Sequence, residues 1–172
     1  MIVYHGSDSV VENIDLKKCH PYKDFGKGFY VTTDKNQAVK FSKLVARKNG
    51  KSKGYVSSYE MSDCSKLRVI EFKTTNKDWL NCVVGYRNLD NRNLKDEYDD
   101  ADIIIGKIAD DDTAFVINAY TSGVFGEIGS DEAVKMAVKR FVPEKLKDQL
   151  CFKSKKAILK LKYINSEETY CD

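Results

Sequence analysis

Proline is nearly absent, with two residues in 172, and glycine is held to ten. Collagen-like and low-complexity classes are thereby excluded. No apolar run approaches the roughly 18 residues that a membrane-spanning helix needs, so no membrane span or membrane partner is expected. The first residues, Met1-Ile2-Val3-Tyr4-His5-Gly6, carry no basic region and no long apolar region, and so do not read as a signal peptide. Histidine is scarce, with only His5 and His20. The cysteines, Cys19, Cys64, Cys82, Cys151 and Cys171, are odd in number, scattered, and never spaced C-x-x-C. That pattern argues against a disulfide framework and against a metal set of histidines and cysteines, and no metal is expected. A reducing cytoplasm is the expected location.

What is present suits one soluble α+β domain spanning residues 1–172. Hydrophobic residues make up 42% and charged residues 32%, which is enough apolar surface for a core without cross-links. The net charge of +3 decides little, but the charges are unevenly placed. Asp96–Asp112 holds eight acidic residues against Lys107, and Lys139–Lys162 holds nine basic residues against Glu144 and Asp148. A basic tract of this kind is either a solvated face or a surface for an anionic partner. Its lysines far outnumber its arginines, which speaks against reading of bases.

Ile2–His5 reads as a strand that ends at Gly6-Ser7. Residues 8–25 read as a long, partly ordered loop with Tyr22 and Phe25 turned inward. Gly26-Lys27-Gly28 opens a second strand, Phe29–Thr32, rich in aromatic and β-branched residues. A helix follows, with Asp34 and Gln37 at capping-box spacing, an apolar stripe of Ala38, Phe41, Leu44 and Val45, and Gly50 at its end. Strands are predicted at Tyr55–Met61, Leu67–Phe72, around Ile103-Ile104-Ile105 (buried on both faces) and at Gln149–Phe152. Helices are predicted at Asp78–Leu89, Thr113–Tyr120 and Ser130–Phe141. Lys156–Ile164 fits either period. Five or six strands interrupted by helices result.

The chemistry-bearing features are few. His5 ends a strand and precedes glycine, where a ligand can approach the backbone. Phe25-Gly26-Lys27-Gly28-Phe29-Tyr30 carries two glycines one residue apart, without the third glycine of a dinucleotide fingerprint and without a phosphate loop. Asp110-Asp111-Asp112 follows a buried strand. It is read either as a solvated cluster capping the next helix, favoured for Asp112, or as part of a cleft, left open for Asp110 and Asp111.

Taken together, "YHGS" and, about twenty residues on, "GKGFYVTTD" followed by an amphipathic helix resemble the diphtheria-toxin and poly(ADP-ribose) polymerase branch of the ADP-ribosyltransferases. "YHGS", "DFGKGFY", "IADD" and a late "Q-x-x-F" also resemble a family of small bacterial proteins, over the whole chain. The resemblance implies a split mixed β-sheet core with flanking helices and NAD as substrate. It implies that His5 donates a hydrogen bond to a ribose hydroxyl, that Gly6, with Ser7 and Gly28 nearby, lines the cofactor, and that Tyr30 stacks on the nicotinamide. Phe41, eleven residues after Tyr30, would cover the other ring face or else pack in the core. Gln149 falls where that branch usually has a glutamate. An amide can grip the 2′-hydroxyl but brings no charge to an oxocarbenium-like transition state. Gln149→Glu is therefore expected to preserve or raise NAD hydrolysis.

The implied activity is mono-ADP-ribosyl transfer to a macromolecular acceptor, protein or nucleic acid. The resemblance also implies a bacterial toxin with a small antitoxin protein as possible partner. The alternatives are an NAD- or ADP-ribose-binding module without turnover and, with less support because arginines are few, an NAD-dependent RNA 2′-phosphotransferase.

Overall fold

The chain starts directly in a strand, β1 (Ile2–Ser7), whose alternate side chains face opposite sides of a sheet. In the computed structural model, which describes residues 1–143 and 146–171 (for Leu89 the backbone alone), β1 pairs antiparallel with β3 (Lys53–Met61). β3 in turn pairs with β7 (Leu161–Tyr170), completing a three-stranded sheet. A second sheet has the order β2-β6-β5-β4, from β2 (Phe29–Val31), β6 (Asp148–Phe152), β5 (Ile103–Lys107) and β4 (Val69–Glu71). Among the described strand pairings only that of β4 with β5 is parallel. The two sheets meet at one antiparallel bridge, where Tyr4 and Thr32 exchange backbone bonds of 2.8 and 2.9 Å. The protein is thus mixed α+β with two sheets, seven strands being described.

Two apolar cores follow from strand alternation. Val3 and Tyr59 of the first sheet meet Phe29, Val31, Leu150 and Phe152 of the second. The other face of the second sheet, with Ile104 and Cys151, is covered by α2 (Lys77–Arg87), α3 (Asp111–Thr121) and α4 (Asp131–Val138). Trp79 of α2 is fully buried there and donates its indole N–H to the Lys107 carbonyl at 3.1 Å, so its polar edge is not wasted. The segment after β1 folds back over the core between the sheets. Val11, Ile14 and Leu16 pack on it, and Val11 is held at both backbone groups, by Ser57 Oγ and Tyr59 Oη.

α1 (Lys35–Lys48) departs from its sequence reading. Asp34 caps it, accepting from the Asn36 and Gln37 amides, and Gly50 follows the last turn with φ 68°. Gln37 does not close a capping box; it lies 3.3 Å from Thr32 Oγ1. The buried stripe is Ala38, Ser42 and Ala46, not Ala38, Phe41, Leu44 and Val45. The cause is closeness. A Cβ on Gly6 would stand 2.1 Å from the Ala38 carbonyl oxygen, and one on Gly54 2.5 Å from that of Ser42. A helix resting on strand backbone at that distance has room for small side chains only, so Phe41 and Leu44 are turned to solvent.

Three smaller corrections apply. Tyr22 is exposed rather than inward, whereas Phe25 is fully buried. Lys156–Ile164 is both things in turn, a short helix, α5 (Lys155–Ile158), and then the start of β7. The helix predicted to reach Phe141 ends at Val138. Glu144 and Lys145 of the basic tract lie outside the described residues.

Candidate functional site

His5 shares a face of β1 with Val3, and its ring lies 4.4 Å from that of Phe29, between the sheets. Its Nδ1 is 2.7 Å from the Tyr30 carbonyl oxygen. A carbonyl only accepts, so Nδ1 carries the proton. Burial lowers the imidazole pKa from its usual 6.5, against a smaller opposing effect of that bond. The ring is therefore neutral at pH 7 and Nε2 is a bare lone pair. Among the described residues Nε2 has no hydrogen-bond partner, nor is it a sealed, unsatisfied atom. His5 thus presents an acceptor. This corrects the expected direction: a ribose hydroxyl would donate to His5, not receive from it.

Tyr30 follows Phe29 and points the other way, into the core beneath the helices. Its hydroxyl accepts from the Phe25 amide at 3.0 Å and donates to the Gly26 carbonyl at 2.7 Å. Burial raises the phenol's pKa, so it stays a neutral donor. Gly26 has φ 77°, a backbone region that glycine enters freely, and its α-carbon faces the Tyr86 ring, which a Cβ would meet at 2.6 Å. The imidazole of His5, which leaves β1 and rests on Phe29, and the phenol of Tyr30 consequently lie on opposite faces of β2, so the structure does not bring them together and Tyr30 is not placed to stack on a ring held by His5.

Gln149 shares Tyr30's side of the second sheet. Its Nε2 donates to Asp24 Oδ2 at 2.7 Å and lies 3.5 Å from the Lys107 carbonyl. Both neighbours are acceptors, which orients the amide with nitrogen inward and leaves Oε1 without a partner among the described residues. Asp24 is the centre of this arrangement and is only 7% exposed. Its Oδ1 accepts from Arg87 Nε at 2.8 Å, with Arg87 Nη2 closing a second ion-pair contact, and its Oδ2 also accepts from the Ala109 amide at 3.1 Å. A buried carboxylate with four donors is a fixed element rather than a free base. Sequence reasoning quoted "DFGKGFY" without giving Asp24 a role. The available signal was a charged residue directly before a buried phenylalanine.

The remaining candidates find structural places. Gly6 faces α1, on the side of β1 opposite His5. Ser7 donates to the Ser9 carbonyl. Gly28 lies against β6, where a Cβ would meet Cys151 Sγ at 2.4 Å. Phe41 lies on the outer face of α1, which packs against the Gly6 side of the sheet, so it is not brought to the imidazole. Asp110, rather than Asp112, is the N-cap of α3, with Oδ1 2.9 Å from the Thr113 amide. Asp148 faces away from Gln149 and pairs with Lys107 at 3.1 Å.

Two clefts, of 470 and 290 Å³, lie elsewhere. The larger is lined by Arg68, Phe72, Asn76 and Tyr98 among others, the smaller by Met1, Thr33, Ile105 and Leu150 among others. His5, Tyr30 and Gln149 line neither. Among the described residues no three histidine, cysteine or acidic side chains gather as metal ligands, and no helix is long and apolar enough to cross a membrane.

A family model described as "Protein of unknown function (DUF3990)" matches residues 1–163, and the chain belongs to that family. No curated protein and no solved structure matches it.

Proposed function

We propose that this member of the DUF3990 family binds NAD and acts as a mono-ADP-ribosyltransferase toward a macromolecular acceptor. The observation that carries the reading is His5: a neutral imidazole locked by its Nδ1–H on the Tyr30 carbonyl, with a lone pair left at Nε2. Its two supports are the "YHGS" and "GKGFY" strands, joined at the Tyr4–Thr32 bridge. A fixed acceptor of this kind suits a sugar hydroxyl. Gln149 Oε1 is a second acceptor, but it lies on the opposite face of the second sheet and does not serve the same sugar.

In the proposed reaction the bond between ribose C1′ and the nicotinamide nitrogen breaks. The electron pair goes to the ring, which leaves neutral. A nucleophile on the acceptor forms the new bond to C1′ and gives its proton to solvent. His5 holds a hydroxyl and orients the sugar. A neutral imidazole brings no negative charge to C1′, and Asp24, the buried carboxylate on the other face of the second sheet, is paired with Arg87. Transfer of single units at low turnover is the consistent form.

That same pairing favours a second reading, a module that binds NAD or ADP-ribose without turnover. Both are tested by incubating the purified chain with NAD, with and without cell lysate, while following nicotinamide release and NAD binding by calorimetry. Release with a labelled acceptor, lost in a folded His5→Ala variant, supports transfer. Binding without release supports the module. Absence of binding refutes both.

The RNA 2′-phosphotransferase alternative is disfavoured further, because Arg68 and Arg87 are committed to Asp100 and Asp24. The toxin role and the antitoxin partner rest on resemblance alone. Normal growth of a bacterium expressing the chain without a partner gene would count against them.

A further inference from the structure

The outer face of α1 combines exposed apolar side chains with cations. The helix carries Lys35, Lys40, Lys43, Arg47 and Lys48 and no acidic residue. At 3.6 residues per turn, Lys40, Phe41, Leu44, Arg47 and Lys48 occupy about 120° of arc, opposite the buried Ala38–Ser42–Ala46 stripe. Phe41 is 49% and Leu44 59% exposed. Among the described residues no ion pair engages Lys40, Arg47 or Lys48, whereas Lys35 is bound to Glu167. The small stripe beneath, fixed by Gly6 and Gly54, holds the helix at one height and leaves these large side chains no inward alternative.

The spacing has a definite form. Phe41 and Leu44 are three apart and Lys48 follows four later, the a-d-a rhythm of a helix seam. Lys40 and Arg47 are seven apart and so stand on one flank of that seam. We infer that the outer face of α1 is a docking surface for an acidic amphipathic helix of a partner protein, with apolar residues over Phe41 and Leu44 and carboxylates facing Lys40 and Arg47. Charge complementarity selects this occupant. A second copy of the chain would set like charges against each other. A nucleic acid would use the cations and could stack on Phe41, but it has no counterpart for Leu44, the more exposed and aliphatic of the two. The inference is independent of the NAD reading, since the surface lies on the far side of the first sheet from His5.

The test uses the full chain and a fluorescent 21-residue synthetic peptide with leucine at its a and d positions and glutamate at e and g. Glutamates at those positions keep the peptide from pairing with itself at pH 7. The controls are the same peptide with lysine at e and g, and a 20-nucleotide single-stranded RNA. The expected result is saturable binding of the glutamate peptide, weakened at least tenfold by Leu44→Ser and by Arg47→Glu. Both variants should keep the wild-type circular dichroism, because both side chains are exposed. Lys40→Glu together with Arg47→Glu should shift preference toward the lysine peptide. No binding of the glutamate peptide, or equal binding by Leu44→Ser, overturns the inference. So does tighter binding of the RNA through Phe41, or self-association of the chain that Leu44→Ser abolishes.

Discussion

Gln149→Glu places a second carboxylate where the amide now donates to Asp24 Oδ2 at 2.7 Å. At an effective dielectric constant of about 20, two unit charges at that separation repel by about 6 kcal/mol. Adding a proton to a glutamate of ordinary pKa, about 4.3, costs about 3.7 kcal/mol at pH 7, which is less than the repulsion. The pair therefore takes up a proton. Arg87 is bound to the other oxygen of Asp24, so the proton goes to the new side chain, which then donates where the amide did. The folded protein holds a proton that the unfolded chain releases above pH ~4.3. Stability of the variant relative to the parent must then fall as pH rises, by up to about 1.4 kcal/mol per unit, reaching a deficit of at most about 4 kcal/mol near pH 7. Urea unfolding of both proteins at pH 5, 6 and 7 reads this directly. A constant difference across that range would refute the placement of Gln149 against Asp24. Glutamate at this position therefore does not restore catalytic charge, contrary to the simple expectation. The new carboxyl is neutral and lies on the face of the second sheet opposite His5, so NAD hydrolysis should not rise at pH 7.

Tyr30→Phe removes the hydroxyl that serves the Phe25 amide and the Gly26 carbonyl, and should cost about 1–3 kcal/mol by chemical denaturation, with His5 still held by the unchanged backbone carbonyl. Gly6→Ala drives a methyl to 2.1 Å from the Ala38 carbonyl, and should lower stability by about 3 kcal/mol whether or not NAD is present, read as a fall in Tm. Asp110→Ala removes the cap of α3 at about 1 kcal/mol and should leave NAD affinity unchanged; a large loss in calorimetric affinity would return Asp110 to the site. His5, with its pKa lowered in the fold, is neutral when folded and charged when unfolded between its folded pKa and 6.5. Its contribution is complete above pH ~6.5 and is lost as pH falls, so parental stability should decline toward acid relative to His5→Gln, by at most about 1.4 kcal/mol per unit in urea titrations.

The strands were legible because their signals are local. Aromatic and β-branched runs such as Phe29–Thr32 and Ile103–Ile105 state their preference within a few residues, and the caps at Asp34 and Ser130 do the same for helix starts. Where reading failed, the deciding partner was distant in sequence. The apolar stripe of α1 pointed to Phe41 and Leu44 because periodicity cannot register that Gly6 and Gly54 bring strand backbone against the helix, and at that distance small side chains outcompete large ones for the buried face. Gln149 could be placed on a late strand, but its neighbour Asp24 is 125 residues away, and Arg87 and Ala109 reach Asp24 across 63 and 85 residues. The His5 tautomer depends on a main-chain carbonyl 25 residues on, which no residue type announces. A motif therefore names the side chains of a candidate site, while the direction of each hydrogen bond is set by atoms the motif does not contain. For His5 and Gln149 those atoms, the Tyr30 carbonyl and the Asp24 carboxylate, consume the donors and leave two acceptors. A ligand engaging either residue has to bring hydroxyl or amide hydrogens, and one offering only phosphate or carboxylate oxygens finds nothing on either to bind.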